Sequence, residues 1–282
     1  MHVVDKSIGE TPLECLERTR LEKGIACDVP MTYAGRLDPL ASGKLLILVG
    51  EECKEKEKYL GYDKEYEVEV LFGVKTDTGD ALGLIEKVEA GLAAMSFFSD
   101  VYNVYTLSSH SKKDTPQGAV SRDFLAENRD EAKSSNPFWN KFCGMFTQAY
   151  PAYSSKAIGG RQLHDLARKD ELPDEMPTKE VEIYSIKEIG KGEQPAKMSG
   201  SDVASQAIEN ISKVSGDFRQ KEITDAWKKF EKEYGAVDFL FIKLRVSCSS
   251  GTYMRSLAER IGREAGTVAF AFSIKRTKIG KF

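Results

Sequence analysis

Apolar and polar residues alternate with a period of two in several parts of the chain, a pattern typical of half-buried β-strands. The clearest case surrounds Tyr66, where every second side chain up to Phe72 is apolar. The alternation predicts strands over residues 64–73, 181–189 and 237–248. The apolar run of residues 45–49 predicts a buried strand or helix.

A period near 3.6 predicts helices at three places. Thr11 is placed to cap the first, with Pro12 at the first helical position and Glu14 completing a capping box. We expect its buried stripe to be Leu13, Leu16 and Leu21. The second and third are predicted over residues 203–214 and 222–234, with Ile208, Ile211 and Val214 sharing one face and Ile223, Trp227 and Phe230 another.

Long helical segments separate the strands without strict β–α alternation, which favours an α+β fold over a doubly wound sheet. Residues 51–58 predict a solvated helix, and residues 190–201 a linker rich in Gly, Lys, Pro and Ser. Residues 108–117 predict an exposed loop and residues 121–133 a charged helix.

Composition and charge narrow the classes of protein that fit these predicted elements. The 282 residues are 41% apolar and 30% charged, enough for a core with a well-solvated surface. The net charge of −3 does not by itself indicate a nucleic-acid partner, although a basic face can exist on an acidic protein. Five scattered cysteines and three histidines, without a Cys-x-x-Cys pair, disfavour a disulfide framework or a metal site. We expect a cytoplasmic protein with no membrane segment, since neither a secretory leader nor an apolar span is visible.

The candidate chemistry centres on residues 35–43, GRLDPLASG. Asp38 precedes a proline, so its backbone is pushed towards an extended or turn conformation. Gly35 and Gly43 bound the loop and permit close backbone approach. An isolated Asp-Pro is ordinarily a turn initiator, but here the loop displays one carboxylate just before an apolar run.

This string resembles G-x-L-D-P-x-A-x-G, the motif around the nucleophilic aspartate of the TruB family of tRNA pseudouridine synthases. Four further blocks resemble the family in the same order along the chain. They are Lys64 and Tyr66 followed by TDTGDALG at 76–83; residues 148–168, containing YSSK and a later Ala-Arg; CSSGTYMRSL at 248–257; and the basic run from Ile274 to Phe282.

The resemblance implies a catalytic set of three residues. Asp38 would be the nucleophile, Tyr66 would stack on the target uracil and assist proton abstraction, and Arg255 would pair with the aspartate. An arginine beside a carboxylate favours its ionised form, which a nucleophile needs.

The resemblance also implies substrate-binding residues. Tyr253 and Ile274 would lie against the base, and Tyr33 stands where the family commonly has a histidine that helps to extrude it. Lys156 and Arg161 would contact RNA beside aromatic side chains, where bases stack and phosphates pair. We further expect a basic face formed by Lys156, Arg161, Arg168, Lys275, Arg276 and Lys278.

The implied fold is the pseudouridine synthase fold, a mixed and mostly antiparallel central sheet with flanking helices. Residues 1–282 would form a single catalytic domain, with insertions near 88–140 and 190–235 and no PUA domain. For the insertion at 190–235 we favour a packed appendage over an RNA-contacting arm.

The implied activity is isomerisation of uridine 55 in the T-loop of tRNA to pseudouridine, by a monomer that needs no cofactor and no metal. The loop of residues 76–80 lacks the spacing of a calcium-binding EF-hand. Two alternatives stay open: the subunit of a guide-RNA-dependent H/ACA-type synthase, and a tRNA-binding folding chaperone whose catalysis is dispensable.

Overall fold

A mixed sheet organises the protein. The computed structural model describes residues 1–89, 137–189 and 196–282, so the predictions for residues 108–117 and 121–133 lie outside the described residues. The strands are β1 His2–Lys6, β2 Met31–Ala34, β3 Ser42–Val49, β4 Lys64–Phe72, β5 Val74–Thr76, β6 Ile85–Val88, β7 Gly144–Ala149, β8 Ala157–Ile158, β9 Arg161–Gln162, β10 Thr178–Glu188, β11 Ala196–Ser199, β12 Asp238–Cys248 and β13 Ala269–Ile279.

Helices flank the sheet. They are α1 Pro12–Glu22, α2 Lys56–Leu60, α3 Pro137–Asn140, α4 Leu163–Arg168, α5 Gly200–Ser212, α6 Gln220–Tyr234 and α7 Met254–Glu264, with a 3₁₀ helix at Gly50–Glu55. In the described segments, no helix has both the length and the apolar composition needed to cross a membrane.

The main sheet has the order β1-β3-β13-β4-β12-β10-β7, with β2 added to β3 and β11 added to β12. Among its pairings in the described residues only β3–β13 is parallel. The prediction of an α+β fold with a mixed, mostly antiparallel sheet is therefore confirmed.

Strand β4 lies at the centre of the main sheet, and this position explains its pattern of apolar residues. Its neighbours β12 and β13 pair with it on both sides, and Tyr66, Val68 and Val70 are all buried, as the alternation predicts. This face packs against α7. The opposite face is covered by α5 and α6, which explains why Leu71 is buried too.

The first helix confirms its predicted cap and corrects its predicted face. Thr11 accepts a hydrogen bond from the Glu14 backbone, and the Glu14 carboxylate accepts one from the Thr11 backbone. Leu13 and Leu21 are 60% and 81% exposed, however, so the predicted stripe was wrong for both. Leu16, the third member of the predicted stripe, is buried as predicted, and the helix packs on β3 through Leu16 and Cys15.

Two other predictions need correction. Ala196–Ser199, expected in a linker, forms strand β11, because it pairs in antiparallel register with residues 238–241 of β12, the part of that strand that β10 does not pair with. The charged helix expected over residues 51–58 is a 3₁₀ turn over Gly50–Glu55 that continues into α2.

The predicted helix pair is present as α5 and α6, and it packs on the sheet. Ile223, Trp227 and Phe230 are buried together, as their spacing predicts. The indole Nε1 of Trp227 donates to the Ala81 carbonyl at 3.0 Å, which ties α6 to the loop after β5.

Replacement of Trp227 with alanine is expected to lower the free energy of unfolding by about 3–5 kcal/mol, the usual cost of removing a large buried aromatic side chain. Urea denaturation measures this. The matched control is Leu21→Ala, since Leu21 is 81% exposed and its loss should change stability by less than about 0.5 kcal/mol. A loss below about 1 kcal/mol for Trp227→Ala would contradict the packing of α6 described here.

Candidate active site

A cavity of about 810 Å³ opens where the β2–β3 loop meets β4, β13 and the start of α7. Six of the predicted site residues line it: Tyr33, Asp38, Tyr66, Tyr253, Arg255 and Ile274. Lys156 and Arg161 are not among its lining residues.

The backbone of the Asp38 loop is fixed by two buried cations. Arg276 is 1% exposed and donates to the carbonyls of Gly35 and Lys44, at 3.1 and 2.7 Å. On the other side, Lys6 is also 1% exposed and donates to the Pro39 carbonyl at 3.2 Å. Burial lowers the pKa of Lys6 to about 8. Polar side chains buried this deeply are stable only with hydrogen-bond partners, here the carbonyls of the loop.

Gly43 permits this arrangement. Its φ is +98°, and a Cβ there would lie 2.2 Å from the Arg276 carbonyl oxygen. Only glycine fits this close approach of β3 to β13.

Arg255 pairs with Asp38, as the resemblance implies. Its Nε lies 2.9 Å from Asp38 Oδ2, and the arginine is 3% exposed whereas the carboxylate is 38% exposed. The two terminal nitrogens donate to the carbonyls of Thr78 and Tyr153, at 2.6 and 3.1 Å. The contact with Asp38 is an ion pair rather than an aligned hydrogen bond, since Nε has no hydrogen-bond acceptor within range in the required geometry.

A second carboxylate, Asp80, lies on the buried side of Arg255. Its Oδ2 is 3.9 Å from Nε, and its Oδ1 accepts from the Thr78 hydroxyl and the Leu82 backbone at 2.8 and 2.9 Å. Burial raises the pKa of Asp80, against the opposing effect of Arg255. Arg255 therefore lies between an accessible carboxylate and a buried one.

Tyr66 and Ile274 form the floor of the cavity, on the adjacent strands β4 and β13. Both are 8% exposed. Burial raises the pKa of Tyr66, so its resting form at neutral pH is the phenol. A neutral aromatic ring suits a stacking role.

Tyr253 forms one wall and is held through its backbone. Its N–H donates to Gln148 Oε1 at 2.9 Å and its carbonyl accepts from Gln148 Nε2 at 3.1 Å. Its ring meets Tyr150 edge to face at 5.8 Å. Lys156 lies over the Tyr150 ring at 5.1 Å, which places this predicted RNA contact outside the cavity but one aromatic ring away from Tyr253.

Tyr33 stands at the rim with two cations. Arg36 donates to its hydroxyl from Nε and Nη2 at 3.3 and 3.2 Å, and Lys56 lies 5.5 Å from the ring centre. The rim thus combines an aromatic face with positive charge.

The predicted basic face needs correction. Arg276 is buried and binds loop carbonyls, because the alternation of β13 turns it inwards and Lys275 outwards. Lys278 also points outwards, since the strand register shifts between Arg276 and Lys278. Lys278 and Arg161 are exposed but form ion pairs with Glu65 and Glu171. Arg168 lines the cavity.

Positive charge is concentrated around the cavity instead. Its lining includes seven lysines and arginines and only two acidic residues, Asp38 and Asp80. The basic members are Arg36, Lys56, Lys64, Arg168, Arg219, Arg255 and Arg276.

Several contributors were not predicted from the sequence. Asp80 stood inside a quoted motif without an assigned role, and Lys6 and Gln148 act on the site through backbone contacts. The sequence signal for Arg276 was its place in an alternating strand. Arg219 gave no sequence signal, since only the packing of α6 brings it to the cavity.

Comparison with known proteins shows similarity to one family over part of the chain. Residues 28–98, which include the Asp38 loop and Tyr66, match the family described as TruB family pseudouridylate synthase (N terminal domain). Over these residues the chain is similar to the TruB family. The fold class expected from the family is the one observed.

Similar proteins align over nearly the whole chain. A tRNA pseudouridine synthase B of Bifidobacterium longum is 26% identical over 99% of this chain, and that of Aquifex aeolicus is 27% identical over 98%. This chain spans 62% and 67% of those proteins. A solved structure titled "Crystal Structure of a Cbf5-Nop10-Gar1 Complex" aligns with 99% of this chain and 48% of that chain, at 15% identity and a TM-score of 0.46.

Proposed function

We propose that this protein is a tRNA pseudouridine synthase of the TruB family that isomerises uridine 55 in the T-loop, with Asp38 as the nucleophile. The observation that carries the proposal is the ion pair between Asp38 and the buried Arg255, 2.9 Å apart in the cavity walled by Tyr66 and Tyr253. We propose further that residues 1–282 act as one catalytic unit, as a cytoplasmic monomer.

The reaction rearranges bonds without net oxidation or reduction. The bond from ribose C1′ to uracil N1 breaks, a bond from C1′ to C5 forms, and the C5 proton leaves while N1 gains one. Asp38 serves this exchange by attack or by elimination at the glycosidic bond. The target nucleotide must first leave the base stack, because no side chain reaches that bond within a helix.

The cavity suits a flipped nucleotide. At about 810 Å³ it accommodates a base and its ribose. The detached uracil would turn between the rings of Tyr66 and Tyr253, with Ile274 beneath it. Asp38, 38% exposed, is accessible from the cavity, whereas Arg255 at 3% is fixed behind it.

The charge around the cavity supports an RNA substrate despite the net charge of the chain. Phosphates respond to local positive charge, and four of the basic residues that line this opening are not buried: Arg36, Lys56, Arg168 and Arg219. At the rim, Tyr33 with Arg36 and Lys56 offers stacking and charge together. We propose that this rim receives the T-arm next to the flipped base.

Reversing the two rim charges is expected to weaken tRNA binding. The double variant Arg36→Glu/Lys56→Glu should raise Kd at least about tenfold and reduce the slope of log Kd against log salt by roughly 1–2, because each lost phosphate contact releases fewer counterions. Filter binding over a salt series measures both quantities. The control is Lys54→Glu/Lys221→Glu, whose lysines are 75% and 91% exposed and do not line the cavity. An equal change in slope for both variants would refute the rim as a contact surface.

The activity is tested by incubating the purified protein with an unmodified tRNA transcript and mapping pseudouridine at single-nucleotide resolution. We expect one modification, at uridine 55, and none in a transcript with cytidine there. Modification only with added guide RNA and protein subunits would favour the H/ACA-type alternative. No modification, with faster tRNA folding by both wild type and Asp38→Asn, would favour the chaperone alternative.

A further inference from the structure

The segment between α5 and α6 reaches the cavity. Phe218 and Arg219, its last two residues, both line it. Arg219 has φ of 61° and ψ of 27°, the left-handed conformation, at the position that caps α6. A non-glycine residue pays roughly 1–2 kcal/mol there, so side-chain contacts must compensate.

The side chain of Arg219 makes two such contacts. Its Nη1 lies 2.8 Å from Asp77 Oδ2, and its guanidinium carbon lies 4.6 Å from the centre of the Tyr153 ring. The side chains of the ion pair are only 21% and 17% exposed. Shielded pairs and cation–π contacts of this kind are stronger than their surface counterparts.

One partner of Arg219 is fixed in its loop, and the other contacts the catalytic centre. Asp77 also accepts from the Leu84 backbone at 2.8 Å, so it is fixed within its loop. The carbonyl of Tyr153 accepts from Arg255 Nη2 at 3.1 Å. Arg219 is therefore linked to Arg255, the partner of Asp38, through one residue.

A second contact joins the same two segments. Arg168, in α4, donates to the backbone carbonyl of Asp217, and its Nη1 lies 3.4 Å from the Asp217 carboxylate. The chain that carries Tyr153 and α4 is thus tied at two points to the segment before α6. The wall of the cavity consists of both segments together.

We propose that Arg219 is a positioning residue: it clamps Tyr153 against Asp77 and thereby fixes the wall of the cavity and the Tyr153 carbonyl that orients Arg255. The helix pair α5–α6 is then part of the catalytic apparatus rather than only a packed appendage. This inference rests on the proposed function. Arginine suits the role because one planar group stacks on a ring and pairs with a carboxylate at once, which lysine does less well.

The test compares Arg219→Ala and Arg219→Lys with wild type in steady-state kinetics on tRNA transcript. We expect Arg219→Ala to lower kcat roughly 10–100-fold, because small displacements of positioned groups are costly, with KM within about threefold. Arg219→Lys should recover part of the loss, since the pair with Asp77 can re-form. The matched control is Lys221→Ala in the same helix, where the lysine is 91% exposed and pairs only along α6 with Asp225 among the described residues; its kcat should equal that of wild type.

The double variant Asp77→Asn/Arg219→Ala separates the clamp from a general loss of structure. If the two residues act as a unit, the double variant should be no slower than Arg219→Ala. Multiplicative losses in the double variant, or a kcat of Arg219→Ala within twofold of wild type, would overturn the inference and leave the proposed function standing. A fall in kcat fully accounted for by the unfolded fraction, measured by thermal melting, would also overturn it. A wild type without activity would overturn the proposed function and this inference together.

Discussion

Asparagine in place of Asp38 is expected to abolish pseudouridine formation while the protein stays folded and binds tRNA. The amide keeps the shape of the side chain but has no nucleophilic oxygen anion, and removal of a nucleophile costs roughly 10⁴-fold or more in rate. Asp38 lies in a loop with 38% of its side chain exposed, and Asp80 remains as a counter-charge 3.9 Å from Arg255, so the melting temperature should change little. The measurement is single-turnover release of tritium from tRNA labelled at C5 of uridine, the position that loses its proton.

The control for this experiment is Asp28→Asn. Asp28 is an exposed carboxylate in the connection before β2, and its replacement should leave the release rate within twofold of wild type. A rate for Asp38→Asn above one tenth of the wild-type rate would show that another group performs the attack.

Methionine in place of Arg255 is expected to remove activity and stability together. The change leaves Asp80 buried without its counter-charge and frees the carbonyls of Thr78 and Tyr153. Loss of one partner of a buried pair costs about 3–5 kcal/mol of unfolding free energy. We expect the rate to fall on the order of 10³-fold, since Asp38 also loses the cation that orients it.

The stability loss in Arg255→Met should depend on pH. Burial already raises the pKa of Asp80 in the wild type, and removal of the arginine raises it further. A folded-state pKa above the unfolded value means that the protonated form stabilises the fold, and this contribution is lost as pH rises through the folded-state pKa. The deficit relative to wild type should therefore grow as pH rises from the folded-state pKa of Asp80 in the wild type towards its higher folded-state pKa in the variant.

Asp80→Asn in the Arg255→Met background should remove this pH dependence and restore part of the stability without restoring activity. Urea denaturation at several pH values, together with tritium release, measures both effects. Recovery of activity in the double variant would contradict the assignment of Arg255 to Asp38.

The sequence predicts those parts of the fold whose pattern lies within a short stretch of neighbouring residues. The capping box of α1 and the alternation of β4 are local patterns, and both are observed as predicted. Leu13 and Leu21 were misassigned because apolar character alone does not say which side of a helix meets the sheet. Strand β11 was missed because its hydrogen bonds go to a distant partner, β12.

The same distinction holds for the candidate site, where some residues stand in sequence motifs and others depend on contacts between distant segments. Asp38, Tyr66 and Arg255 stand in motifs, and the structure brings all three to one cavity. The role of Asp80 depends on its distance from Arg255, which no pattern along the chain reveals. Arg276 was predicted on a surface because its neighbours are basic, yet its inward position followed from the alternation of β13 and was readable in principle.

We propose that a uridine enters this cavity and reacts at Asp38. The most direct test is the structure of the protein bound to a T-arm stem-loop that carries 5-fluorouridine at position 55, where fluorine replaces the C5 proton whose loss completes the reaction. We expect the fluorinated base to be flipped into the cavity between Tyr66 and Tyr253, with its ribose C1′ against the Asp38 carboxylate. A base that stays stacked in the RNA, or one bound away from Asp38, would contradict it.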